Sequence, residues 1–70
     1  MIDLFEFYRI GDSIKQCLIE TAKLRRQQNL PKEYDFLYEN IWWKLRFVLD
    51  DYINFTKKIE SMNASEVETN

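Results

Sequence analysis

The sequence predicts an all-α protein: a two-helix antiparallel hairpin that dimerises into a four-helix bundle. Three observations carry this expectation. Apolar residues recur at alternating steps of three and four through two long segments. The only strong breaker between those segments is Asn29-Leu30-Pro31-Lys32. The chain has 70 residues and one Cys, so it can form one small domain without an internal disulfide.

The first helix is expected over residues 3–28. Phe7, Ile10, Ile14, Cys17, Thr21 and Leu24 step by three and four, and Leu4, Leu18 and Ala22 thicken the stripe. Asp3-Leu4-Phe5-Glu6 reads as a capping box, with Asp3 accepting from the Glu6 N–H, and Ile2 and Phe7 suit a hydrophobic staple. Gly11-Asp12-Ser13 is the weak point, where Ser13 and Gln16 offer a second capping box. The heptad phase crosses Gly11 without a slip, which favours a continuous or gently kinked helix. Thr21 is expected to bond back to its own helix. Lys23, Arg25 and Arg26 near the C-terminus suit the helix dipole. In an antiparallel hairpin they lie beside Glu33, Asp35 and Glu39.

Residues 29–31 form the loop, because Pro31 pushes Leu30 out of helical geometry and suits the start of a new helix. The second helix is expected over residues 32–61. Tyr34, Tyr38, Ile41, Leu45, Val48, Tyr52, Phe55, Ile59 and Met62 hold one unbroken heptad phase, and Trp42, Leu49 and Ile53 widen it on one flank. Residues 1–61 thus form the domain, and the polar stretch 62–70 reads as a disordered tail. The dimer and core seam comprises Phe7, Ile10, Ile14, Cys17, Leu24, Tyr38, Ile41, Leu45, Val48, Tyr52, Phe55 and Ile59. A single hairpin buries too little apolar surface to offset the ordering of about 60 residues, hence the expected homodimer.

Phe36, Trp43 and Phe47 do not belong to that seam. They cluster roughly 140° from its centre on a helical wheel. Three readings are open. The stripe packs inside the protein, against Phe5, Tyr8 and Ile19 or against the dimer mate, or it is an exposed patch for a partner, or it docks on a membrane surface, which scattered acids and the lack of a dense Lys/Arg face weigh against. Trp with flanking aromatics and a neighbouring Arg is the composition of a binding hot spot, which makes Phe36, Asn40, Trp43, Arg46 and Phe47 the candidate partner-binding residues.

Composition argues against catalysis. There is no His and only one Gly, which leaves no His base, no His ligand and no Gly-rich phosphate loop. Asp50 and Asp51 point about 100° apart on a helix and do not converge. Cys17, in the seam with no His to activate it, reads as a small hydrophobe. No catalytic residue, metal or cofactor is expected. Ten basic residues against twelve acidic weigh against nucleic acid as a partner. No run is long and apolar enough for a membrane span, and no signal peptide is visible, so a cytoplasmic location is expected.

Read as a strand, residues 2–10 resemble in position the N-terminal strand of ribbon-helix-helix repressors, which are dimers with two helices per chain. That family turns polar or basic side chains to DNA, whereas the alternate faces here are Asp3, Phe5, Phe7, Arg9 and Leu4, Glu6, Tyr8, Ile10. Small sporulation-type aspartyl-phosphate phosphatases are helical hairpins with a Ser-Gln-Glu-Leu-Asp motif. Only Leu49-Asp50 matches it, so that activity is not carried over.

The expected function is that of a small non-enzymatic, protein-binding regulator, adaptor or inhibitor. Ile, Asn and Lys outnumber Ala and Gly by eighteen to three, a bias that suits an AT-rich source such as a phage or mobile element whose product disables a host protein. One alternative is a dimeric nucleic-acid-binding regulator using Arg9, Lys15, Lys23, Arg25 and Arg26. The other is a structural assembly subunit whose second stripe makes only self-contacts.

Overall fold

A computed structural model describes residues 2–68 and shows two antiparallel helices, α1 (Leu4–Gln27) and α2 (Lys32–Glu68). No strand occurs among the described residues, and residues 4–10, the core of the alternative strand, form the first turns of α1. The hairpin is a rod with principal extents of 59 × 16 × 10 Å. Its Cα radius of gyration is 16.9 Å, well above the roughly 11 Å of a compact chain of this length.

Local chemistry explains where each helix begins and ends. Asp3 is the N-cap of α1, but its carboxylate accepts from the Phe5 N–H at 3.0 Å rather than from Glu6. The capping box is therefore not closed: Glu6 accepts instead from Arg9, one turn on. The helix continues through Gly11, and the Ser13 hydroxyl donates back to the Arg9 carbonyl instead of capping a new helix. Thr21 does the same to Cys17, as expected. The Gln28 N–H closes α1 on the Leu24 carbonyl, and the Pro31 carbonyl opens α2 by accepting from Tyr34 and Asp35.

The second helix differs from expectation at its C-terminal end. It continues past residue 61 to Glu68, and Met62 to Ser65 lie within it; Thr69 and Asn70 lie outside the described residues. The reason is a polar clasp. Asn63 is buried, its amide nitrogen donates to the Ile2 carbonyl at 2.8 Å, and its amide oxygen accepts from the Ile2 N–H at 3.1 Å. A polar stretch has little apolar surface to bury, but a side chain that satisfies both backbone groups of one residue can still be held.

The two helices meet along a heptad seam. From α2 it takes Tyr38, Leu45, Tyr52 and Ile59 with Trp42, Leu49, Thr56 and Asn63; from α1 it takes Leu4, Gly11 and Leu18 with Phe7, Ile14 and Thr21. Leu18, Leu49 and Ile59 are its buried apolar centre. Three side chains of α2 bond directly to the backbone of α1. The Tyr38 hydroxyl donates to the Thr21 carbonyl at 2.8 Å, the Trp42 indole N–H to Leu18 at 3.2 Å, and the Tyr52 hydroxyl to Phe7 at 2.9 Å. Gly11 makes the last of these contacts close, because a Cβ there would lie 3.4 Å from the Tyr52 ring. Buried Thr56 donates to the Tyr52 carbonyl, so no buried side-chain polar atom lacks a partner among the described residues.

Candidate interaction surfaces

The hairpin has two sides, and they differ in chemistry. The side formed by Tyr8, Arg25, Asp35, Glu39 and Glu60 is polar. Arg25 binds Asp35 through two hydrogen bonds of 2.7 and 2.8 Å and approaches Glu39 at 3.6 Å. This places the basic end of α1 beside the acidic start of α2, as the charge pattern suggested for Arg25. Lys23 pairs instead with Glu20 on its own helix. The hydrogen bond from Arg25 holds the Asp35 carboxyl below its ordinary value and makes Arg25 hold its proton more tightly. At the other end the Tyr8 hydroxyl donates to Glu60 at 2.8 Å, and this bond pushes the phenol above its ordinary value.

The opposite side is apolar. Tyr34, Ile41, Val48, Phe55 and Met62 of α2 lie seven residues apart, and their relative exposures fall between 49% and 56%. Ile10, Cys17 and Leu24 of α1 repeat the same spacing and are also exposed. The two rows lie on one side of the hairpin. Leu24 shares a hollow with Tyr34, Leu37 and Ile41, and the Phe7 ring meets Phe55 at 5.8 Å between centroids. The expected seam is thus divided. Phe7, Ile14, Tyr38, Leu45, Tyr52 and Ile59 face the other helix of the same chain, while Ile10, Cys17, Leu24, Ile41, Val48 and Phe55 line an open face.

The second aromatic stripe lies on the outer surface of α2. Phe36 is 66% exposed, Trp43 48% and Phe47 62%. Phe5 and Ile19 are themselves exposed and do not cover it, so packing within the chain is not how the stripe is used. Its centre is fixed from beneath. Trp43 sets its ring at 90° to that of Trp42, with 5.1 Å between centroids, and Trp42 is pinned by its bond to Leu18. Phe47 continues the row at 6.3 Å from Trp43. Arg46 is half-buried and paired with Asp50, one turn along the helix, and Asn40 is exposed. Trp43 also walls an open hollow at the loop end, whose charged lining comes from Arg25, Arg26, Asp35 and Glu39. Aromatic anchors beside paired charges are the groups that supply area and orientation at an interface.

No group of three or more His, Cys, Asp or Glu among the described residues is placed to hold a metal ion. No helix of the described residues is long and apolar enough to cross a membrane. Comparison with protein families, with curated proteins and with solved structures finds no match.

Proposed function

We propose that this chain is a small non-enzymatic, protein-binding regulator, adaptor or inhibitor whose anchor is Phe36, Trp43 and Phe47, with Asn40 and Arg46 as polar neighbours. The observation that carries this reading is the exposed aromatic row, held at its centre by Trp42. A solvent-facing row of this kind is costly to solubility unless something covers it, and preorganised rings lose little entropy on docking. Disabling a host protein on behalf of a phage or mobile element, inside the host cytoplasm, is the setting that suits its size and composition.

The reading as a nucleic-acid-binding regulator has less support. Of the five cations it would use, Arg9, Lys23 and Arg25 are already paired with carboxylates. A phosphate ligand would have to compete with those pairs, and its affinity would fall steeply with salt.

The test is affinity capture from a host lysate with the wild-type chain and with Trp43→Ala/Phe47→Ala. Both positions are substantially exposed, so the helical circular dichroism should be unchanged. The expected result is loss of a specific bound protein in the double variant, at low and high salt alike. Recovery of the same proteins by both chains overturns the assignment.

A further inference from the structure

The open face on the other side of the hairpin calls for a different occupant. We infer that a second copy of this chain covers it, with Ile10, Cys17 and Leu24 of α1 and Ile41, Val48 and Phe55 of α2 as the centre of the interface. The inference does not depend on what the Phe36/Trp43/Phe47 stripe binds.

Three observations select a second copy. First, the seven-residue period runs along both helices of the face, over about 42 Å of α2 from Tyr34 to Met62. A row sustained for that length is what knobs-into-holes packing of further helices requires; a local docking site needs only one or two turns. Second, the area fits. The chain exposes 5771 Å², against about 4,700 Å² for a compact monomer of its mass. The surplus of roughly 1,000 Å² matches the roughly 800 Å² that each partner loses in a standard stable interface. Third, the face is self-compatible. Its centre carries no charge, and its α2 edge carries Lys44, Asp51 and Lys58, of both signs. A copy meeting a copy therefore need not confront like charges.

The lone chain supports the same conclusion from within. It has no large side chain that is fully buried among the described residues, and only Leu18, Leu49 and Ile59 form its buried apolar core. Covering the open face would bring Phe7, Ile14, Tyr38 and Leu45 fully inside. It would also leave Phe36, Trp43 and Phe47 on the outer surface of each protomer, so the assembly would be bivalent for whatever the stripe binds.

Sedimentation velocity and Cys17 labelling test the inference on the full chain. Wild type should sediment as a dimer. Its Cys17 should be protected from a water-soluble maleimide, with protection lost on dilution. Val48→Asp and Ile41→Asp should abolish the dimer and expose Cys17, whereas Phe47→Asp on the outer stripe should do neither. Both face positions are about half exposed in a single chain, so an aspartate there would not unfold a self-sufficient hairpin. Unfolding of Val48→Asp beside a folded Phe47→Asp therefore also supports the dimer, provided wild-type Cys17 protection rises with concentration. A helical, monomeric wild type with Cys17 reactive at every concentration overturns the inference. So does an assembly that survives both face substitutions.

Discussion

Asn63→Ala measures the clasp that holds the two chain ends together. The substitution removes both hydrogen bonds to Ile2, of 2.8 and 3.1 Å. At about 1 kcal/mol net per bond the loss is about 2 kcal/mol. The freed Ile2 groups belong to a half-buried residue near the chain end, which water can reach, so no full penalty for an unpaired buried group applies. Alanine returns about 0.5 kcal/mol of helix propensity, which leaves a net destabilisation of about 1.5 kcal/mol. For a domain of this size that lowers Tm by about 6–12 °C. The assay is thermal unfolding followed by circular dichroism at 222 nm, at matched protein concentration because self-association would raise Tm by mass action. Ser61→Ala, an exposed neighbour, is the control and should stay near wild type. Asn63→Asp keeps an acceptor for the Ile2 N–H but sets a carboxylate oxygen against the Ile2 carbonyl. It should be worse than alanine at neutral pH and recover in acid, where the protonated carboxyl can donate. If Asn63→Ala melts with Ser61→Ala and wild type, the C-terminal extension of α2 contributes nothing and the clasp argument fails.

Other outcomes follow from the same contacts. Gly11→Ala should stabilise by about 0.5–1 kcal/mol, because the new methyl meets the Tyr52 ring at an ordinary contact distance while the helix gains propensity; Gly11→Val should displace Tyr52 from the Phe7 carbonyl and lower Tm. Leu49→Ala, at the buried centre of the seam, should cost about 2–5 kcal/mol by chemical denaturation, and an unchanged midpoint would place the core elsewhere. Because Arg25 holds the Asp35 carboxyl below its ordinary value, that pair's contribution is present above the unfolded carboxyl value and is lost as pH falls through the folded one; Asp35→Asn should remove this part of the acid sensitivity in a pH series of melts. Tyr8 has the opposite sign. Its raised phenol stabilises below the ordinary tyrosine value and the contribution disappears as pH rises through the folded one, so Tyr8→Phe should flatten the alkaline limb of the same series.

Much of the architecture is legible in the order of the residues. Steps of three and four residues point to helix over most of the chain, with residues 2–10 also open to a strand reading, and Pro31 leaves little choice about where the chain turns. Phe36, Trp43 and Phe47 could be separated from the seam by angle alone, since an off-seam aromatic row is a property of spacing. That the basic end of α1 lies beside the acidic start of α2 is legible as charge order along an antiparallel pair; that Arg25 takes Asp35 while Lys23 takes Glu20 is not. Asn63 was not legible, because its value depends on the backbone of Ile2, 61 positions away in sequence.

What the sequence by itself determined is the period: which residues lie on the greasy side of each rod, and that this side is wide. What only the tertiary structure decided is the rotation of each rod about its axis. A stripe that broad can face its partner helix with either edge. Here the edge through Trp42, Leu49, Thr56 and Asn63 faces α1, while Ile41, Val48 and Phe55 lie on the flank that opens to solvent. Hydropathy alone would have chosen the reverse, since Thr56 and Asn63 are polar. The choice is made by directional bonds between the helices, from the Tyr38 and Tyr52 hydroxyls and the Trp42 indole to backbone carbonyls of α1, and from Asn63 to Ile2. Such bonds depend on atoms brought together across the fold, and periodicity along one helix carries no record of them.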